Sequence, residues 1–175
     1  MPQFNAPFNH IALSVPDAEA AVEWYTRVFG FQVIILTTTR RNTDPEGGQV
    51  LTSMYGPELK EMKLAILSCG NDVAMEIFQF VDPPYNGPTT RVDWNPDTYT
   101  RGGVFHFCLT VPDVKAAVAE AVTAGARRVG GMIEPLPGQK ACYLQDPWGN
   151  TLEVLSCTIN QLYLAMIGSA LQGKE

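Results

Sequence analysis

Residues 8–22 read FNHIALSVPDAEAAV, and residues 104–118 read VFHFCLTVPDVKAAV. At an offset of 96, with no gap, His10 falls on His106 and Val15-Pro16-Asp17 on Val111-Pro112-Asp113. Ala20-Ala21-Val22 falls on Ala116-Ala117-Val118. The chain has two histidines, and this repeat relates them. A duplicated module with one histidine per copy can bring two imidazoles to one site, so the repeat decides both fold and function.

Within each copy the apolar period changes from two to 3.6. In 8–15, Ile11, Leu13 and Val15 share one face of a strand, while His10, Ala12 and Ser14 share the other. In 104–111, Phe105, Phe107, Leu109 and Val111 oppose His106, Cys108 and Thr110. Asp17 and Asp113 are natural N-caps for the helices that follow. Those helices carry apolar stripes at Ala18, Val22, Tyr25 and Phe29, and at Val114, Val118 and Val122. Gly30 and Gly125 stand where left-handed C-caps are expected. Strands follow over 31–38 and 126–130. Later in each copy a Gly- and Asn-containing turn, 69–72 or 146–150, feeds a strand with a glutamate, Glu76 or Glu153.

The spacing therefore predicts an α+β chain of two tandem βαβββ modules. The first covers 7–80, with an insertion at 39–62 too long for a plain hairpin and read as a lid or substrate wall. A Pro-, Asn-, Thr- and Gly-rich linker covers 81–102, and the second module 103–157. The tail, 158–175, has apolar residues at Leu162, Ala165 and Met166 that suit a short helix packing on a partner or on the sheet.

Composition narrows the function. At 175 residues the chain suits one domain or two small fused modules. A net charge of -6 argues against nucleic-acid partners. No apolar run nears the roughly 20 residues that cross a bilayer, so no membrane association is expected. The N-terminus lacks the basic and apolar parts of a signal peptide, which points to the cytoplasm. Cys69, Cys108, Cys142 and Cys157 form no Cys-x-x-Cys and are read as small buried thiols. There is no P-loop, no Gly-x-Gly-x-x-Gly and no defensible Ser-His-Asp set.

Four residues remain: His10, Glu76, His106 and Glu153. Two imidazole nitrogens and two carboxylates suit a divalent Zn, Ni, Co, Mn or Fe ion. A carboxylate among Met75, Ile77 and Phe78 is costly unless paired or metal-bound. Arg40, Arg41, Arg91 and Arg101 could clamp an anionic substrate or be solvated loop charge. Tyr55, Tyr85, Trp94 and Tyr99 could line the mouth of a site or anchor long loops.

These pieces together resemble the vicinal oxygen chelate superfamily. The carrying motifs are His10 and His106 ahead of Val-Pro-Asp, the run from Trp24 to Phe31, and Asp146-Pro147-Trp148-Gly149-Asn150 leading to Glu153. The resemblance spans Phe8 to Cys157. It implies paired βαβββ modules forming a cup-shaped, eight-stranded mixed sheet around a metal. The ligand order His, Glu, His, Glu resembles glyoxalase I. That implies a metal-dependent lyase or isomerase moving a proton beside the carbonyl of a small metabolite, through a metal-stabilised enolate. Glu153 would be the base and Glu76 its partner on the opposite face. The alternatives are a non-haem Fe(II) ring-cleaving dioxygenase, against which Glu76 counts, and a non-catalytic drug-binding protein. Ser14 stands where glyoxalase I has an arginine, and Phe80 where it has an asparagine, which argues against glutathione. A small-molecule substrate and a homodimer are expected.

Overall fold

The computed structural model describes residues 6–100 and 102–172, and it divides into two compact units, 1–89 and 90–175. Each unit holds one four-stranded mixed sheet. The eight expected strands are therefore all present, paired as two sheets of four.

The first unit runs β1 (His10–Ser14), α1 (Ala18–Phe29), β2 (Gln32–Arg41), α2 (Gly48–Tyr55), β3 (Glu61–Ser68) and β4 (Ala74–Asp82). Its strand order is β1-β4-β3-β2. Helix α1 carries the chain across one sheet face from β1 to the far edge, and the hairpins then walk back. β4 therefore lies parallel to β1, and the other pairs are antiparallel. Asp17 caps α1 by accepting from the Ala20 N–H at 3.0 Å, and Gly30 ends it at φ 69°. The buried face is Ala18, Ala21, Trp24 and Tyr25. Trp24 joins the stripe the sequence predicts, while Val22 and Phe29 are only half-buried. Opposite it, Val15, Ala65, Leu67, Met75 and Ile77 are fully buried. Each of these except the small Ala65 contributes roughly 1.5–3 kcal/mol.

The second unit runs α3 (Pro96–Tyr99), β5 (Phe107–Thr110), α4 (Val114–Thr123), β6 (Arg127–Leu136), β7 (Gln139–Gln145), β8 (Thr151–Leu155) and α5 (Ile159–Gln172). The order β5-β8-β7-β6 repeats that of the first unit, again with only the β5–β8 pair parallel. Asp113 caps α4 through the Ala116 N–H at 3.1 Å. Its buried face is Val114, Val118 and Ala121, with Val122 46% exposed rather than buried. At about 100° per residue, position 121 points within about 20° of 114, whereas 122 points about 80° away.

Three expectations need correcting. The second strand of each module runs further than predicted, to Arg41 and to Leu136. The insertion contains a helix, α2, which its short apolar run did not announce. Only Cys142 is buried; Cys69 and Cys157 are half-buried, Cys108 is exposed, and all four are free. The tail helix exists and is longer than predicted, with Leu162 packed on Ala141 and Leu155. Among the described residues no helix is long and apolar enough to cross a membrane.

Candidate functional site

β-Strand alternation puts His10, Ala12 and Glu76 on the sheet face away from α1. Ala12 is the ladder partner of Glu76, so His10, two residues earlier on the parallel neighbour, sits diagonal to it. His10 Nε2 lies 3.7 Å from Glu76 Oε2. His10 Nδ1 is 2.7 Å from Asn9 Oδ1. With the proton on Nδ1 donated to Asn9, Nε2 presents its lone pair toward the carboxylate.

The second unit repeats the arrangement. Cys108 is the ladder partner of Glu153, and His106 lies two residues before Cys108. His106 Nε2 lies 3.3 Å from Glu153 Oε2. The imidazole is fixed by rings: Phe105 at 4.9 Å and Tyr143 at 5.1 Å both meet it edge-on. Tyr143 in turn stands opposite Glu153 in the β7–β8 ladder. His106 Nδ1 is buried without a hydrogen-bond partner.

The turn that delivers Glu153 is held by one carboxylate. Asp146, fully buried, accepts from the Trp148 N–H at 3.0 Å, the Asn150 N–H at 2.8 Å and Asn150 Nδ2 at 2.7 Å. Gly149 follows at φ 92°, a conformation that favours glycine. In the first unit the equivalent turn uses Gly70, Asn71 and Asp72, all at positive φ.

The neighbours of the two glutamates are held neutral. Burial, and then the Glu76 charge, raise the Tyr55 phenol above its ordinary value. Burial, and then Glu153, do the same to Tyr143. Cys108 is exposed as a residue, but its thiol is partly desolvated on the sheet beside Glu153, and that desolvation, then the Glu153 charge, pushes it up to about 12. Within the described residues neither glutamate has a lysine or arginine partner.

The donor sets fit a divalent ion. Ligands about 2.1 Å from a common ion, at near-tetrahedral angles, stand about 3.4 Å apart. The observed 3.3 and 3.7 Å separations bracket that value. Within each unit the described residues offer no third His, Cys, Asp or Glu to such a cluster. Each pair thus offers two donors.

The remaining candidates separate cleanly. Arg91 is structural, donating to the Gly125 carbonyl at 2.9 Å. Arg41 is bonded to Glu61 at 2.7 Å. Arg40 lines a cavity of about 280 Å³ that also contains Tyr55 and Glu76. Arg101 lies outside the described residues. Tyr85 anchors its loop through the Pro88 carbonyl at 3.2 Å. Trp94 packs on Tyr99 at 5.2 Å and on Phe105 at 5.7 Å, so the linker aromatics buttress the segment bearing His106.

The family model described as glyoxalase/bleomycin resistance protein/dioxygenase superfamily matches residues 8–154. The chain belongs to this superfamily. It is 27% identical over 154 residues to a 2-epi-5-epi-valiolone epimerase from an Actinomyces species, covering 85% of this chain and 78% of that one. It is 29% identical over 122 residues to an ethylmalonyl-CoA/methylmalonyl-CoA epimerase from Cereibacter sphaeroides, covering 70% and 73%. The structure of a glyoxalase family protein from Bacillus cereus superposes with a TM-score of 0.69 at 14% identity, over 89% of this chain and 97% of that one. That last likeness is one of fold.

Proposed function

We propose that this superfamily member is a metal-dependent isomerase of the epimerase type, acting on a carbon next to a carbonyl of a small molecule. The observation that carries the reading is the recurrence, in both units, of a diagonal His–Glu pair whose carboxylate has no lysine or arginine partner among the described residues and lies within 3.7 Å of the imidazole Nε2. Two donors cannot complete a coordination sphere, and two such pairs can. His10, Glu76, His106 and Glu153 would then hold one divalent ion. The two epimerases among its relatives, and the general use of divalent metals in the superfamily, support this.

Such an ion, when bound, supplies Lewis acidity that lowers the cost of negative charge on the substrate oxygen. The chain's own residues do the proton work. Glu153, the less exposed of the two carboxylates at 17% against 26%, removes the proton from the carbon. Glu76, entering the cycle as the carboxylic acid, would deliver its proton to the opposite face and invert the centre, and exchange with solvent would return Glu153 to the carboxylate and Glu76 to the acid. Tyr143, kept protonated opposite Glu153, places no competing anion beside it. The rings of Phe105 and Tyr143 hold His106 in place.

Proton exchange tests this. In D2O, metal-loaded protein should place deuterium at the α-carbon of branched acyl thioesters or cyclic ketones. Glu153→Gln should reduce that exchange by about three orders of magnitude. Oxygen consumption on catechols with no deuterium uptake would replace this reading with ring cleavage.

A further inference from the structure

The first unit contains a chamber beside Glu76. β6 and β7 are joined by a tight turn, whereas the segment between β2 and β3 folds α2 back over the sheet face that carries Glu76. Gly48 permits this approach, since a Cβ there would lie 2.4 Å from the Asn42 carbonyl oxygen. Leu51 anchors the helix against Leu59, Met62 and Phe78, and the Tyr55 ring meets Phe80 edge-on at 6.5 Å. Val50 and Met54, one turn apart, line the chamber while remaining 59% and 70% exposed. A well-docked helix thus holds two large apolar side chains over an open space.

Size and polarity define what fits. At roughly 30 Å³ per water, about 280 Å³ holds about nine waters, so the occupant has on the order of ten non-hydrogen atoms. The apolar lining of the chamber is Val50, Leu51, Met54, Met62, Leu64 and Phe78. A polyhydroxylated ligand would leave hydroxyl groups unpaired against these. The polar groups lie apart. Arg40 faces Met62 in the ladder, and Met62 faces Phe80, four residues along β4 from Glu76. At about 3.3 Å per residue along the strand, and two strand spacings of about 4.8 Å across the sheet, the two backbones stand about 16 Å apart, which the two long side chains shorten. Arg41 is committed to Glu61, and Asp44 accepts the Arg41 N–H at 2.8 Å. Arg40 has no ion-pair partner among the described residues.

Resting on the isomerase reading, we propose that the α2 chamber selects carbonyl compounds with an apolar body and a distal carboxylate, the carbonyl end near Glu76 and the carboxylate on Arg40. The guanidinium matches a carboxylate in charge and fork geometry, and its half-open setting lets the body enter before the anion seats.

Calorimetric titration of the full chain tests it with 6-oxoheptanoate, its uncharged counterpart 2-heptanone, and a polyhydroxycyclohexanone. The oxo acid should bind tightest. Arg40→Gln should weaken it about tenfold or more and leave 2-heptanone unchanged. Met54→Trp, which fills the chamber from an exposed position, should weaken both. Equal binding of the oxo acid to wild type and Arg40→Gln, no binding of either probe, or tighter binding of the polyol would overturn the proposal. The two readings fail separately: Arg40-dependent binding without deuterium exchange on any substrate removes the isomerase, and exchange without Arg40 dependence removes the chamber's role.

Discussion

Glu153 depends on a residue that never touches it. Asp146 gathers two backbone N–H groups and the Asn150 amide into the turn before β8, and it does so with no exposed surface. Asp146→Ala leaves those donors unpaired in the interior. It should lower unfolding free energy by about 3 kcal/mol in urea titration, with Asp146→Asn recovering part of the loss. An unchanged midpoint would mean that water replaces the carboxylate without cost. The four candidate donors were legible because duplication singles them out: neither histidine is distinctive alone, but both occupy one register of one repeat. Asp146 was legible only as part of a turn motif. Tyr143 and Asn9 were not legible at all, because strand alternation gives the face of a side chain and not which neighbour it meets.

At the scale of elements, the helices after Asp17 and Asp113 follow from capping chemistry that sequence displays directly. Replacing either aspartate with alanine should cost about 1 kcal/mol of stability, read from chemical denaturation. α2 shows the opposite case. Its run from Gly48 to Tyr55 is short, lies between Gly47 and Gly56, and has no side-chain N-cap. Nothing local favours a helix there, and it forms because Leu51 and Tyr55 find the sheet. Such tertiary packing is invisible to periodicity. Gly48→Ala should accordingly destabilise the protein by about 1–3 kcal/mol through overlap with the Asn42 carbonyl, and should weaken ligand binding in the chamber. An alanine variant with wild-type stability would show that α2 can shift without loss.

Across the whole molecule, burial shifts several thiols and phenols in the same direction. Burial raises Cys69 to about 11 and Cys108 to about 12, and raises Cys142, Tyr55 and Tyr143 as well. In the unfolded chain thiols ionise near about 9 and phenols near about 10. Between those values and the native ones, the unfolded chain has released protons the native state still holds. The unfolding free energy must then fall as pH rises, with the contribution intact below about 9 and lost by about 12. Urea midpoints at pH 8 and pH 10.5 should show the drop, and Cys69→Ala should make it shallower; a flat profile would contradict the burial of these groups. The repeat and the two βαβββ modules were legible in the sequence at this scale, whereas the strand order within each sheet was not, since periodicity does not say which strands pair. The most direct test of the central claim, that the two His–Glu pairs together hold one ion, is the metal content of purified protein set beside that of His10→Ala and His106→Ala. One divalent ion per four-donor set, lost in either variant, is the predicted result. Two ions per set, or one that survives removal of either histidine, would contradict it.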